Sequence, residues 1–287
     1  MLRNKNFYEY SAVLNTHTFD YYINRLTDLA VSRYKWNNLP TTVDERYIEL
    51  TLLNDGKALY FEDDIVGQLV LSFTSSGRFN VYGEPILRRA YSKYNNYKIL
   101  LKNNNSVIIW NNFLRQPSYS QLRLFAVRLY ALDRIIDVNA NAQKTPILLH
   151  ASKKQRLTLL NLFKEYDGNS PVIFGDKNLD IDSINVLKTG APFVADKIYE
   201  LKVNIWNEAM TYLGIANEVT QKKERMVKDE VARNMGGTIA SRYSQLAARN
   251  NAADKINNMF DTKISVEYRY PDMFTEFISS FGGESNE

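Results

Sequence analysis

Two long helices separated by a short insert constrain the fold of this chain more than any other sequence feature. After Pro117, apolar residues follow one another at alternating steps of three and four, which predicts a helix of about 20 residues that Ser118 caps. A second apolar stripe after Pro192 predicts another long helix, which Gly214 ends. At about 1.5 Å per residue the first helix spans about 30 Å. Two such helices, with a small module at one end and a charged segment at the other, could line a passage.

The insert between the helices, residues 142–192, is predicted to be a compact module that contains strands. Pro146–His150 and Pro171–Phe174 have the composition of short strands, whereas Leu157–Phe163 fits either a strand or a helix. A module of this size is too small to be stable without its neighbours.

The first 117 residues predict a mixture of helices and strands. Thr18 or Asp20 is expected to open a helix that carries Trp36 and stops at Pro40. The capping-box spacing of Thr42 and Glu45 predicts a second helix. The remaining predictions are the end of that helix at Gly56, a strand over Ile65–Phe73, and a β-hairpin over Lys98–Asn112 around an asparagine turn.

A mixed-charge segment, residues 217–234, follows the second long helix. It holds five cations and four anions, so its net charge is small, and in an isolated chain it fits a solvated helix or loop. Gly236 and Gly237 come next and predict a hinge. Beyond them we expect a helix over Ser244–Phe260, a half-buried strand over Lys263–Tyr270 and a short helix over Met273–Phe281.

Composition excludes several classes of protein. The 287 residues, 45% of them hydrophobic, are enough for one large or two modest folded domains. The net charge of +4 is only mildly basic and does not by itself indicate a nucleic-acid partner. Because the chain has no cysteine, disulfides, thiolate catalysis and Cys-bearing zinc sites are excluded. No secretory signal or membrane span is expected.

Motifs for enzymatic chemistry are largely absent. The sequence contains no P-loop, HExxH or GxSxG motif, and His17 and His150 lie far apart, so neither a cofactor nor a metal site is predicted. The alternating acidic residues Asp176, Asp180 and Asp182 lack the glycine and glutamate of a calcium loop. Loop or helix-capping roles are favoured for them, and a metal-dependent nuclease site remains the alternative.

Five stretches of the sequence resemble a known family. The family is the upper collar protein, that is, the head–tail connector or portal, of small podoviruses related to the short-tailed Bacillus phages with protein-primed DNA replication. YKWNNLP, residues 34–40, adds to the resemblance. The five stretches are NANAQKTP (139–146), SPVIFGDKNLD (170–180), VLKTGAPFVADK (186–197), IWNEAMTYLGI (205–215) and KKERM (222–226).

The resemblance implies an α+β fold of the portal type. Its subunit has a mixed helix/strand wing built from both chain ends, long stem helices and a small clip that contains strands. The family forms a dodecameric ring at one capsid vertex of the virion, assembled in the host cytoplasm, and is not an enzyme. The implied parts are wing 1–117, stem 118–141, clip 142–192, stem 193–216, channel loop 217–234 and wing 235–287.

The resemblance also implies a DNA channel lined by lysines. These are Lys188 and Lys197 near the clip and Lys222 and Lys223 in the channel loop, with Arg225 and Lys228 in the same loop. Lysine suits a moving duplex because its charge is mobile and does not lock onto a base or phosphate. The implied partners are further copies of the chain, double-stranded viral DNA, capsid and scaffolding proteins, the lower collar or tail protein and a packaging ATPase; no membrane is involved.

Two points count against carrying every property of the family over to this chain. The family's basic N-terminal arm contacts a packaging RNA and the prohead, but here only Arg3 and Lys5 stand in the first ten residues, beside Glu9. Arg3 and Lys5 are therefore weak candidates for that contact. A purely structural collar that never contacts DNA is a second alternative to the portal hypothesis.

Overall fold

Two compact units make up the chain, Met1–Tyr130 together with Val203–Glu287, and Ala131–Lys202. The computed structural model describes residues 3–143, 147–149, 184–186, 192–215 and 228–269. No helix in these ranges is long and apolar enough to cross a lipid bilayer.

A five-stranded antiparallel sheet forms the centre of the first unit. Its strands are β2 (Lys57–Asp63), β3 (Gly67–Phe79), β4 (Pro85–Tyr91), β5 (Lys98–Lys102) and β6 (Ser106–Trp110). Their order in the sheet is β5-β4-β3-β2-β6, so β5 and β6 lie at opposite edges although only residues 103–105 join them. A connection this short requires the sheet to curl until its edges approach, which gives a small barrel-like structure.

The predicted hairpin over Lys98–Asn112 is wrong in its pairing. Both strands are present, but β5 pairs with β4 and β6 pairs with β2. The asparagine turn does reverse the chain, and Asn103 N–H donates to the Ile86 carbonyl, which continues the β4 ladder. The residues of a turn indicate that the chain changes direction there. Which strands then pair with each other depends on how they enclose the apolar interior.

Successive side chains of the strands point to opposite faces of the sheet, so the strands contribute to two hydrophobic cores. Leu59 and Phe61 of β2 pack inside the curled sheet with Phe73 and Leu101. Their neighbours in β2 point to the opposite face and join the core formed with the helices. Strand β3 serves both halves of the sheet, because its residues 67–71 pair with β2 and its residues 72–79 pair with β4. The predicted strand over Ile65–Phe73 therefore begins two residues later and extends to Phe79.

Helix α1 (Arg3–Val31) starts well before the predicted Thr18 or Asp20 and ends before Pro40. Trp36 lies in β1 (Tyr34–Asn37), which pairs antiparallel with β9 (Ser265–Tyr268). Tyr34 and Trp36 are buried and alternate with exposed Lys35, which is the strand period rather than the helical one. The strand predicted within Lys263–Tyr270 is confirmed as β9.

Helix α2 (Glu45–Asp55) has the predicted end but a different beginning. Its N-cap is Asp44, whose carboxylate accepts from Arg46 N–H at 2.8 Å, rather than Thr42. Gly56 ends the helix at φ +74°, and its N–H donates to the Leu52 carbonyl.

Helix α5 (Lys228–Phe260) corrects two predictions. Residues 228–234, assigned to the channel loop, are helical, and Gly236 and Gly237 lie inside the helix instead of forming a hinge. Residues 228–234 are mostly good helix formers, so they extend the helix N-terminally. The cost of about 1 kcal/mol for each helical glycine is offset by packing, since Ala252, Ala253 and Ile256 of α5 belong to the main core.

A buried ion pair joins α5 to α2. The Arg249 guanidinium donates to both carboxylate oxygens of Glu49, at 2.8 and 2.7 Å, and to the backbone and side chain of Asn111. Trp36 Nε1 also donates to Glu49 at 2.9 Å. Burial lowers the pKa of Arg249, but the charge and hydrogen bonds of Glu49 outweigh this and raise it. The pair therefore stays charged inside the core.

The two long helices appear where the sequence predicts them. Helix α3 covers Tyr119–Ala142 and helix α4 covers Ala195–Leu213. Strands β7 (Ile147–Leu149) and β8 (Ile184–Val186) pair antiparallel in the second unit, which confirms a strand within Pro146–His150. The predictions for 157–163, 171–174 and 273–281 lie outside the described residues.

Candidate functional site

Two of the six predicted channel cations, Lys197 and Lys228, lie in the described part of the chain. Lys197 is exposed in the first turn of α4, and Lys228 is the first residue of α5. Arg3 and Lys5 lie at the start of α1. A shared channel for these cations stays a prediction, because four further members of the set, Lys188, Lys222, Lys223 and Arg225, lie outside the described residues.

Aromatic contacts join α4 to α3 and to α1 in the first unit. The Phe125 and Tyr212 rings of α3 and α4 lie 6.0 Å apart, and the guanidinium of Arg25 in α1 lies 4.7 Å above the Trp206 ring of α4. An exposed ion pair joins Arg128 to Glu208 at 3.2 Å and adds little stability. Phe125 and Trp206 are both half-buried in the single chain.

Asn139 fixes the start of α4 in the second unit. Its Nδ2 donates to the Pro192 carbonyl at 2.9 Å, and its Oδ1 accepts from Val194 N–H at 3.0 Å. Further along the helices, Lys202 Nζ donates to Asp133 at 2.8 Å, with both side chains partly buried. Asn139 belongs to the NANAQKTP stretch, but the sequence did not reveal this bridging role.

Three side chains donate hydrogen bonds to the carbonyl groups of Leu213, the last residue of α4, and of Gly214, which follows it. We call this arrangement the α4 clamp. Arg33 Nη1 donates to the Leu213 carbonyl at 2.7 Å, while Arg242 Nε and the Tyr268 hydroxyl donate to the Gly214 carbonyl at 3.1 and 3.0 Å. Cationic donors are favoured here because the carbonyl end of a helix carries partial negative charge. Gly214 adopts φ +71°, and a Cβ there would lie 2.9 Å from Arg242 Cα.

Helix α3 carries apolar residues on two opposite faces. One face packs inside the first unit through Leu122, Ala126 and Leu129, which are fully buried. The other face is an exposed row that we call the outer stripe, and the spacing of its members by three, four or multiples of these steps places them on one side of the helix. The sequence prediction missed this row, although the same 3–4 spacing reveals it. The outer stripe consists of Leu124, Val127, Ile135 and Val138.

Metal-site geometry is absent from the described part of the chain. No group of three or more His, Asp or Glu residues there is close enough to hold a metal ion. His17 is exposed on α1. The residues of the nuclease alternative, Asp176, Asp180 and Asp182, lie outside the described residues, as does His150.

Comparison with solved structures finds similar chains at low sequence identity. A chain in the structure of the portal and tail of native bacteriophage P68 matches with a TM-score of 0.52 at 14% identity, over 98% of this chain and 96% of that one. A HK97 family phage portal protein from Corynebacterium diphtheriae matches at 0.43 and 11% identity, covering 88% and 94% of the two chains. A chain of the native gene transfer agent virion matches at 0.47 and 10%, covering 94% and 87%.

Comparison with protein families goes one step further. The family described as Phage Connector (GP10) matches residues 4–272, and the chain belongs to this family. The resemblance to head–tail connectors and the α+β portal-type fold are therefore confirmed, and the chain is a structural component of a phage virion. The relation to podoviruses of Bacillus stays a prediction.

Proposed function

We propose that this chain is the subunit of a portal ring through which double-stranded viral DNA is packaged and ejected. The observation that carries the proposal is the connector-family match over residues 4–272. The ring would occupy one capsid vertex and contact capsid and scaffolding proteins, a lower collar or tail protein, and a separate ATPase that supplies the energy for packaging. The P68 chain comes from a portal and tail assembly, which supports a tail partner here.

The outer stripe supports assembly into a ring. A helix that is apolar on two sides is normally buried on both, and α3 has only one side packed within the first unit. A neighbouring subunit can cover the second side through a head-to-tail contact, which uses two different surfaces and closes into a ring. The family resemblance makes twelve the proposed number of subunits.

Rotational symmetry supports the role of the lysines. In a ring, Lys188, Lys197, Lys222 and Lys223 each repeat at one height and form bands of positive charge around a channel. Such bands act on phosphates without reading sequence, so they suit a moving duplex. Because α5 begins at Lys228, the proposed flexible loop that resists back-slip covers residues 217–227, with Lys228 at its helical edge.

DNA binding measured against salt concentration, on rings verified by negative-stain microscopy, tests this proposal. Replacing Lys197, Lys222 and Lys223 by Gln is expected to keep the ring and to make the salt dependence shallower, by about 0.9 in the log–log slope for each phosphate that the variant no longer neutralises. The matched control is Lys263→Gln, another exposed cation, which should leave the slope unchanged. A monomer at micromolar concentration, or equal slopes for both variants, would contradict the proposal.

Replacing residues 217–227 by a Gly/Ser segment of the same length tests the back-slip role separately. The ring should still assemble and admit DNA, because the connection between the α4 clamp and α5 keeps its length, but packaged DNA should leak from the particle. Full retention of DNA by this variant would refute this role. A magnesium-dependent cleavage assay on the intact ring addresses the nuclease alternative.

A further inference from the structure

Arg88 in β4 is a buried cation that makes no ion pair with any described residue. Its side chain is only 5% exposed. Its Nε donates to the Pro85 carbonyl at 3.1 Å, and its Nη1 donates to the carbonyl and hydroxyl oxygens of Ser106 at 2.6 and 3.2 Å. These acceptors are neutral, so they hold the guanidinium in place without compensating its charge. Burial lowers the pKa of Arg88, and the charge of Glu84 opposes this only in part.

The remaining amino group of Arg88 borders a cleft. Nη2 makes no hydrogen bond with a described residue and is not sealed from solvent. Arg88 lines a cleft of about 400 Å³ between the curled sheet and the C-terminal part of α5, a volume within the range of ligand sites, about 300–1,000 Å³. Burying a charge is costly unless it is paired. A free donor on a buried charge at the wall of a cleft therefore indicates a site for an anion.

The rest of the cleft lining suits an acidic group on an apolar carrier. Lys255 of α5 makes no ion pair with any described residue, and Glu84 is already paired with Arg115 at 3.1 Å. Trp110 of the sheet and Met259 of α5 add apolar surface. The cleft thus combines an excess of positive charge with apolar walls.

Two turns beside the cleft expose large apolar side chains. Val81 and Tyr82 in the β3–β4 turn and Leu114 in the turn after β6 are each at least 80% exposed, and Phe113 is exposed next to Leu114. The ion pair described above joins the two turns. We call these four residues the turn patch. Apolar side chains that lie together on a surface mark contact sites for other proteins.

A protein segment fits this surface better than a nucleic acid does. The phosphates of a duplex lie on the outside of a rigid double helix, so they cannot enter a cleft to reach Arg88, whereas a carboxylate on a flexible side chain can. Interfaces with nucleic acids are also polar and strongly basic. The turn patch is apolar, as the core of a protein–protein interface is.

We propose that the cleft and the turn patch form a docking site for a segment of a partner protein, in which an acidic side chain pairs with Arg88 and Lys255 while neighbouring apolar side chains cover the turn patch. All residues of this site lie in the first unit of one subunit, so the proposal does not depend on the portal ring. It adds to the proposed function a partner surface of stated chemistry, acidic and apolar.

Binding of short peptides to the full-length chain tests this site. The probes are pentapeptides with a central Glu between Leu, Ile, Phe or Tyr residues in every order, and each has a counterpart with Gln in place of Glu. Hydrogen bonds between charged groups are about twice as strong as neutral ones, so calorimetry on the tightest pair should give the Glu peptide an affinity on the order of tenfold higher. Equal affinities, or no binding by any probe, overturn the proposal.

Two substitutions locate the carboxylate in the cleft. Arg88→Gln should remove the preference for Glu over Gln peptides. Because Arg88 also holds Ser106, a second variant, Lys255→Glu on the exposed side of α5, applies if the first does not fold. It should weaken the Glu peptide about fivefold and leave the Gln peptide unchanged. The matched control Lys263→Glu, an exposed lysine outside the cleft, should change neither. A preference for Glu that survives in the folded variant overturns the proposal.

Other occupants of the cleft give different results. If a short oligothymidylate binds, Lys255→Glu abolishes that binding and the peptides fail, the cleft belongs to a nucleic acid and the proposal is overturned. Tighter peptide binding by a full-length variant with the last four carboxylates replaced by amides would show that the chain itself fills the cleft, which also overturns it. These carboxylates are Asp272, Glu276, Glu284 and Glu287.

Discussion

Arg249 shows what a single buried charge does in this protein. Replacing it by Met would leave the Glu49 carboxylate buried, with Trp36 Nε1 as its remaining described donor. We expect the free energy of unfolding, measured by urea titration, to fall by about 3–5 kcal/mol. Adding Glu49→Gln should restore part of this loss, because it removes the unpaired charge and keeps an acceptor for Trp36.

The control for the Arg249 prediction is an exposed ion pair. Lys35 and Glu267 lie 3.3 Å apart with about half of each side chain exposed, so Lys35→Met should cost less than about 1 kcal/mol. A loss for Arg249→Met as small as this would show that the buried pair contributes no more than a surface pair.

Asp63 makes the stability of the β2–β3 turn dependent on pH. Hydrogen bonds from the Tyr97 hydroxyl and from the N–H groups of Val66 and Ile65 lower the pKa of Asp63. The stabilisation from a lowered pKa is present above the ordinary value near 4 and is lost as pH falls through the lower folded value. Between about pH 6 and pH 3, the urea midpoint of Asp63→Asn should therefore fall less than that of the natural chain.

Asp64→Asn is the matched control for the Asp63 prediction, because Asp64 is the exposed neighbouring carboxylate. It should follow the natural chain across the acid range. Burial, followed by the hydrogen bond to Asp63, raises the pKa of Tyr97 to about 12. The contribution of Tyr97 should thus be constant below its ordinary value near 10 and decline as pH rises toward 12. If the urea midpoints of Asp63→Asn and Asp64→Asn fall equally in acid, the pH dependence does not come from the lowered pKa of Asp63.

At the scale of a secondary-structure element, Gly214 determines how α4 ends at the α4 clamp, and a substitution there should lower the free energy of unfolding. Gly214→Ala meets two penalties, a positive φ of +71° and a Cβ placed 2.9 Å from the Arg242 backbone. Gly83→Ala meets only the first, since Gly83 has φ +73° and nothing within 4 Å of the added Cβ. We expect Gly83→Ala to cost about 1 kcal/mol and Gly214→Ala clearly more by urea unfolding. If both variants lose the same free energy of unfolding, α4 and α5 separate easily at Gly214 and Arg242.

The elements differ in how well the sequence predicts them. The apolar 3–4 period and the flanking Pro117, Pro192 and Gly214 locate α3 and α4 because these signals are local. The partners of β5 and β6 could not be predicted, because they depend on how the whole sheet curls around Phe61 and Leu101. Trp36 was assigned to a helix because the buried alternation in β1 depends on pairing with β9, which lies more than two hundred residues away.

At the scale of the whole molecule, the outer stripe predicts how strongly subunits associate. Leu124 is 60% exposed in the single chain, so burying the rest of its side chain against a neighbour contributes about 1–2 kcal/mol. Leu124→Gln should therefore raise the apparent dissociation constant about five- to twentyfold. Arg123→Gln, on the same helix but outside the stripe, is the control and should change association little. Sedimentation velocity over a concentration series measures the apparent dissociation constant of each variant. Equal constants for the two variants would show that the outer stripe does not contribute to the contact between subunits.

The sequence predicted less of the candidate site than of the fold. The resemblance identified the connector family. Lys197 lies exposed on α4, and its role in a channel stays a prediction. The bridging role of Asn139 and the clamp by Arg33, Arg242 and Tyr268 could not be anticipated, because each joins residues that are distant in sequence to backbone carbonyl or N–H groups. Backbone groups are present at every position and leave no signal in the sequence.

The α4 clamp has a mechanical consequence. If DNA is driven past α4, any axial force on that helix reaches its last turn, where donors from the turn between α1 and β1, from α5 and from β9 bind adjacent carbonyl groups. Bonds that share a load must yield together, whereas bonds loaded in sequence open one by one. The far end of α4 is therefore anchored to three separate segments at once, so tension is spread into the barrel-bearing unit instead of unravelling a single helix terminus.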